Sequence, residues 1–489
     1  MKAVKSLLWF YALVFLVFPV LPLFFEIYRF YPAVFDRSFF LALRNSFLLS
    51  SAVAFFSAVL GLILALIIGK TRVPARGLVS LLLSLPLFFP PYQFALGWSG
   101  LLPSGFMAVL FSLPGTVFVL TGCFYPVVFW LVLISLYSVS PEEEEVALLF
   151  APAAKVLKSI TLTRILPSLI AGSLLVFLLS FAEPGVPAYF GVNVLPLQVL
   201  TQFSAFYNFR AALMASLPMV ILGVAVFWAQ TGFWREKMQW RERSSLYTGL
   251  AFKGGLSSKF FMVTVFTLFF LLPSLSLLEN GIPALQSALR WGARSMGFSL
   301  LYSSSAALLV VGWAMTSAFL SGKKQQEIFS YFSLFAFLLP PTALAVGFIA
   351  LWRSLPLPVY GTALILIFAL SARYSFPALK VMENSARNLD PSPMEAAYIS
   401  GASPTRTFFK ITFPSVRKWI FVSFLLVFVF SVNELGLSTM LYPPGGEPLI
   451  VRIYTLSVNS PLKVPSALSL LNSFLIIIIL FVFLPGGEK

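Results

Sequence analysis

Two carboxylates stand in apolar surroundings where a membrane chain ordinarily carries none. Glu183 and Glu434 lie 251 positions apart, each just beyond a charge-free run (165–182 and 419–433) and each followed by a helix-weakening pair, Pro184-Gly185 or Leu435-Gly436. If the two helices leave the cytoplasmic face near Ser168 and Trp419, both glutamates sit about 22 Å along, at about 1.5 Å per residue, in the outer half of a membrane. Buried carboxylates are costly there unless they face a watery cavity or a partner charge. Flanking the outer mouth of a pathway, they would favour a cation arriving from outside. Hydrogen-bonded to the ends of neighbouring helices, they would be structural, and the sequence leaves both readings open.

The pair closes a longer repeat, in which 144–185 recurs as 395–436. The second copy opens with EAAYISGASPTRTFFKITFP, Glu395 to Pro414. Ser403 is a good N-cap and Pro404 a good first helical residue, since that position has no use for an N–H. Gly401 and Ala402 allow a tight reversal just before it. Arg406 and Lys410 are four apart and share a face, with Phe408 and Ile411 on another. The first copy is worn: Glu144 and Ile160 keep their places and Ala151 matches Ala402. Glu145-Val146, however, replace Ala396-Ala397, Phe150 replaces Gly401 and Thr163 replaces Pro414. Glu142 and Glu143 read equally well as a solvated helix start, where carboxylates favour the positive end of the dipole.

Other chemistries fall away. The chain has no histidine and one cysteine, Cys123, so it cannot build a Ser-His or Cys-His nucleophile, a disulfide or an imidazole metal site by itself. Gly69-Lys70-Thr71 imitates the end of a phosphate-binding loop, but Leu64 stands where the required glycine belongs. Nucleotide is therefore expected on another chain.

The elements that must position these residues are membrane helices. The chain is 59% hydrophobic and 10% charged, with a mean hydropathy of +0.94, far from a soluble domain. Charge-free stretches of roughly 20 residues or more, the length a bilayer core needs, occur at 6–25, 45–69, 77–141, 165–182, 211–234, 260–278, 295–322, 328–352, 354–372, 419–433 and 464–487. Two of these, 165–182 and 419–433, reach full length only with Glu183 or Glu434 taken inside. The long third stretch breaks at Leu102-Pro103-Ser104-Gly105, giving about twelve transmembrane helices. The first run meets Glu26 without a small-residue cleavage site and reads as an uncleaved helix.

Most lysines and arginines cluster at 2–5, 70–76, 155–164, 235–259, 323–324, 373–387 and 406–418. The positive-inside rule then puts both termini in the cytoplasm. The net charge of +16 signals this asymmetry rather than nucleic acid. The most polar stretch, near 234–259, splits the chain into a first membrane domain (1–235), a cytoplasmic linker (236–258) and a second membrane domain (259–489). Pro90-Pro91 and Gly97 match Pro340-Pro341 and Gly347. Six helices per half make the repeats parallel, related by an axis along the membrane normal, with a pathway expected between them.

Glu395–Pro414 resembles, position by position, the EAA loop of the membrane subunits of binding-protein-dependent ABC importers: EAA, three residues, Gly, nine residues, Ile, one residue, Leu, Pro. Phe413 stands for the leucine. The resemblance implies the type I importer permease fold, an all-α membrane protein with about 12 transmembrane helices as two parallel six-helix repeats. It implies as partners two ATPase subunits on the cytoplasmic side, an external substrate-binding protein and the lipid bilayer. It implies no cofactor and no enzyme activity on this chain, and a place in the cytoplasmic (inner) membrane. It assigns Glu395, Ala396, Ala397, Gly401, Ala402, Ser403, Pro404, Arg406, Ile411 and Pro414, with Glu144, Ala151 and Ile160 of the worn copy, to ATPase coupling. Glu183 and Glu434 remain candidates for the translocation pathway.

The segment ELGLSTMLYPPGGEPLIVRIYTL, Glu434 to Leu456, resembles fused permeases of the iron(III) importer family. Iron(III) is the first expectation for the substrate; thiamine, phosphonate and polyamine permeases share parts of the segment. An ion-gradient-driven transporter of twelve helices is the alternative from another class. It would lack the long loops found here at 138–167 and 380–418.

Overall fold

The computed structural model describes residues 2–22, 35–237 and 255–483, so most of the expected linker, from 238 to 254, lies outside the described residues. No strand forms among the described residues. Among the described residues six helices are long and apolar enough to cross a membrane: Arg37–Lys70, Leu113–Tyr137, Ala153–Phe181, Phe209–Ala229, Leu256–Leu320 and Phe408–Val432. Three bent pairs raise the number to nine if each is one span, and Ser6–Val20, Leu449–Asn459 and Lys463–Ile478 are shorter apolar helices. The Leu256–Leu320 run has 65 residues, long enough for more than one crossing. The chain is a multi-pass membrane protein.

Three helix pairs are sharply bent, and the first two bends lie inside the charge-free runs 77–141 and 328–352. Arg76–Phe88 and Pro91–Leu101 meet at 91°, Lys323–Leu338 and Pro341–Ser354 at 110°, and Ala363–Arg373 and Ser375–Arg387 at 51°. The first two fall at the matched Pro90-Pro91 and Pro340-Pro341, since proline removes the ladder N–H and its ring clashes with the preceding turn. The expected break at Leu102–Gly105 is real, but a short helix, Ser104–Leu110, intervenes before the next span. The stretch 354–372 is not one helix: 355–362 turn, with Gly361 at φ +80°, and the helix begins at Ala363.

The chain divides into two compact units that do not follow chain order. One comprises 1–31, 292–452 and 474–489; the other comprises 32–291 and 453–473. Division into consecutive domains at 236–258 therefore stands as a proposal.

In the first unit the N-terminal helix packs on later elements. The Tyr11 hydroxyl donates to the Ser371 carbonyl at 3.1 Å and the Tyr11 ring stacks on Trp313 at 4.8 Å. Phe15 meets Phe368 and Trp9 meets Phe329. In the second unit Arg37–Lys70, Leu113–Tyr137 and Leu162–Phe181 form a three-helix core. Small residues let its backbones approach: a Cβ on Gly61 would lie 2.8 Å from the Phe129 nitrogen. A similar contact fixes a later helix in each unit: the Ser46 hydroxyl accepts from the Leu195 N–H at 2.8 Å, and Ser299 from Leu449 at 2.7 Å.

Leu272–Gly281 packs on Pro91–Leu101, with Gly97 against backbone: a Cβ there would lie 2.4 Å from the Pro273 carbonyl oxygen. Gly97→Ala is expected to destabilise the protein by about 1–3 kcal/mol through overpacking. Gly105→Ala, with nothing within 4 Å, should not. Thermal unfolding of the two variants in detergent checks this, and equal midpoints would refute it.

Candidate functional site

The second loop forms a helix–turn–helix. Ser392–Ile399 carries Glu395, Ala396 and Ala397, and it starts just after Asp390, whose carboxylate accepts from the Ser392 N–H at 3.0 Å and hydroxyl at 2.8 Å. Those two bonds hold the Asp390 carboxyl below its usual range. Gly401 has φ +81°, the left-handed conformation that closes the turn, and Ala402 N–H returns to the Ala397 carbonyl at 2.9 Å. Ser403 accepts from the Arg406 N–H at 3.4 Å and the helix begins at Pro404, as their residue types require.

From Phe408 to Thr412 the helix widens to a π turn before Phe413–Val432. Glu395, Gly401, Ser403, Arg406 and Pro414 are exposed, while Ala402, Phe408 and Ile411 are half-buried. Ile399, at 88% exposure, and Phe409 stand out as bare apolar side chains.

The first loop differs in one decisive way. Pro141–Leu148 begins with Glu142, Glu143 and Glu144 in its first turn. Glu143 is exposed and pairs with Arg164 at 3.1 Å, a contact of little energetic weight. Glu144 turns inward with no exposed surface, its oxygens 2.6 and 2.8 Å from Lys70 Nζ, and accepts from the Thr161 hydroxyl. Ala151 and Ile160 are half-buried, and Leu149 and Phe150 are exposed where the second loop has Ser400 and Gly401. The two leading glutamates of the repeat thus occupy opposite environments.

Glu434 caps a short helix, and Glu183 bonds the first N–H of another. Glu183 Oε1 accepts from the Gly185 N–H at 2.9 Å at the start of Gly185–Tyr189. Glu434 Oε1 accepts from Gly436 and Leu437 at 3.1 and 3.3 Å at the start of Leu435–Leu441. Glu434 Oε2 lies 3.2 Å from Arg373 Nε and accepts from the Tyr374 hydroxyl. Arg373 also donates to the Leu339 carbonyl at 2.5 Å, one of the carbonyls freed at the Pro340 bend. Gly436 approaches Pro341 so closely that a Cβ would lie 2.9 Å from its ring. One buried ion pair therefore ties together two helix breaks and one helix start.

At the positions of Arg373 and Tyr374 the first repeat has Gly122 and Cys123. A Cβ on Gly122 would fall 2.1 Å from the Phe269 ring, so an aromatic ring covers that place. Glu183 is half-buried where Glu434 is buried.

Sequence reasoning missed Lys70, set aside as a false phosphate loop, and Arg373, counted with the cytoplasmic charges at 373–387. Tyr374 carried no signal.

The matched loop lies inside the part of the chain that known proteins share. Residues 309–485 match the family of binding-protein-dependent transport system inner membrane components. PhnV of Salmonella typhimurium, whose name assigns it provisionally to a 2-aminoethylphosphonate transport system as a permease, is 25% identical over 201 residues, 41% of this chain and 76% of PhnV. PotI of Escherichia coli K12, named a putrescine transport system permease protein, is 33% identical over 75 residues, 15% of this chain and 27% of PotI. These similarities support a permease of the ABC importer class. The first loop, Glu144 included, falls outside the family match.

Proposed function

We propose that this chain is the membrane-spanning permease of an ATP-driven importer, moving a substrate delivered by an external binding protein into the cell. The observation that carries the reading is the second loop: an EAA pattern that departs from the family's only at Phe413, within the family-matched residues, with its glycine in the left-handed turn and a helix starting at Pro404. Two ATPase subunits would seat on the two loops, and ATP would be hydrolysed there and not on this chain. About twelve helices in two parallel six-helix repeats, and cytoplasmic termini, belong to the same proposal.

The pathway role of Glu183 and Glu434 takes a narrower form. Glu434, paired with Arg373 and bonded to two backbone N–H groups, is a structural carboxylate. Glu183, half-buried where Glu434 is buried, is the more accessible of the two and stays the candidate for meeting a cation.

For the substrate, 2-aminoethylphosphonate and putrescine, after which the relatives are named, share a primary ammonium group. We place the substrate in that class ahead of iron(III), for which the segment Glu434–Leu456 alone speaks.

Reconstitution of the chain in lipid with its ATPase and binding protein tests both levels. ATP hydrolysis is expected to rise at least fivefold when the binding protein is loaded with 2-aminoethylphosphonate or putrescine. Stimulation by ferric ion alone would return the substrate to iron. Uptake driven by an ion gradient without ATP would overturn the importer reading.

A further inference from the structure

Lys70 belongs to the Gly69-Lys70-Thr71 triplet that has no nucleotide to bind. Its ammonium is fully buried at the end of the Arg37–Lys70 helix, with both oxygens of Glu144 within 2.8 Å. Gly69 leaves just enough room for the neighbouring span: a Cβ there would lie 3.0 Å from Leu136. Thr71 ends the helix, its hydroxyl donating to the Ile67 carbonyl at 2.7 Å.

Glu144 lies on the outgoing limb of the first loop and Thr161, on a π turn, on its returning limb. Both limbs thus converge on one lysine. Leu149 and Phe150, 79% and 86% exposed, are carried at the tip between them.

Among the described residues the second loop shows no contact that joins both limbs to one lysine: its ion pair, Lys380–Glu383 with Ser330, holds only the helix that leads into it. The position of Lys70 is occupied there by Ser321, and the nearby Lys323 and Lys324 are exposed. Glu395 is exposed, and the returning-limb Thr412 donates only to the Met394 sulfur at 3.4 Å. A buried, doubly hydrogen-bonded ion pair resists separation, because each partner alone would be stranded out of water. A hydroxyl–thioether contact resists far less.

We propose that Lys70, Glu144 and Thr161 form a clamp that makes the first coupling loop and the Arg37–Lys70 helix a single lever, leaving the second loop as the compliant arm. This rests on the importer reading for what pulls the lever, but the clamp itself does not depend on it. Glu144 is then a positioning residue: it fixes the loop from inside instead of touching the ATPase. ATPase closure at the first loop would be delivered to the helix without slack, and at the second loop through a hinge.

The test has two arms. In the chain alone, in lipid nanodiscs, spin labels at Arg72→Cys and Leu149→Cys report the first loop, and labels at Lys323→Cys and Ile399→Cys the second. The one native cysteine, Cys123, is buried and leaves a clean background. The first-loop distance distribution is expected to be at least twofold narrower than the second. The double variant Lys70→Met/Glu144→Leu removes both charges while keeping apolar volume, so that it folds. It should broaden the first distribution to match the second; an unchanged width would overturn the clamp.

In the reconstituted complex import by the same double variant should fall at least tenfold. Import of 2-aminoethylphosphonate and putrescine within twofold of the parent would overturn the lever. A parent complex whose ATP hydrolysis answers to no loaded binding protein would instead refute the importer reading, with the label distances still deciding the clamp.

Discussion

Arg373→Leu is expected to destabilise the protein by about 3–5 kcal/mol, the cost of removing one partner from a buried ion pair. Arg373 and Glu434 are 7% and 8% exposed, so solvent cannot take over the stranded carboxylate. Two further losses follow from the same side chain. The Leu339 carbonyl at the 110° bend loses its donor, and Tyr374 is left as the remaining side-chain partner of Glu434 Oε2. Arg373→Leu/Glu434→Gln should recover more than half of the loss. The glutamine carbonyl can still accept from Gly436 and Leu437, and no uncompensated charge remains. Thermal and denaturant unfolding in detergent measure both variants. A single variant within 1 kcal/mol of the parent would show that water reaches the pair.

Gly401→Val is expected to leave the protein folded and membrane-inserted while cutting ATPase stimulation and import 5- to 30-fold. At φ +81° a side chain with a Cβ costs about 1–2 kcal/mol, more for a β-branched residue. Nothing lies within 4 Å of that Cβ, so the penalty comes from the backbone alone. The turn escapes it by opening, which separates the Ser392–Ile399 helix from the one starting at Pro404. An energy of one to two kcal/mol corresponds to that 5- to 30-fold loss of the closed turn. Gly322→Val, with ordinary φ of −72°, is the control and should have little effect. Equal stimulation in the two variants would remove the turn from the coupling argument.

The second loop was legible residue by residue because its determinants are local. A glycine for positive φ, a serine cap and a proline at the first helical turn act within a few residues of one another. The bends at Pro90 and Pro340 were half-legible. The proline pairs were visible as matched landmarks, but hydropathy stays high across a bend and so hides its angle. The burial of Glu144 was not legible, for the opposite reason. Its buried state depends on Lys70, 74 positions earlier, and no local pattern links the two.

The sequence by itself determined that this is an all-helical membrane chain, that a loop near Glu395–Pro414 turns at Gly401 and starts a helix at Pro404, and that two glutamates recur at matched positions. Period, composition and backbone preference set these features within single segments. Only the tertiary structure decided what the charges do: Glu144 anchors its loop to Lys70, and Glu434 joins Arg373 to two helix breaks, whereas Glu183 stays half-buried with a phenylalanine covering the place matching Arg373. A charge takes its role from the partner and dielectric around it, and both are supplied by segments distant in the chain.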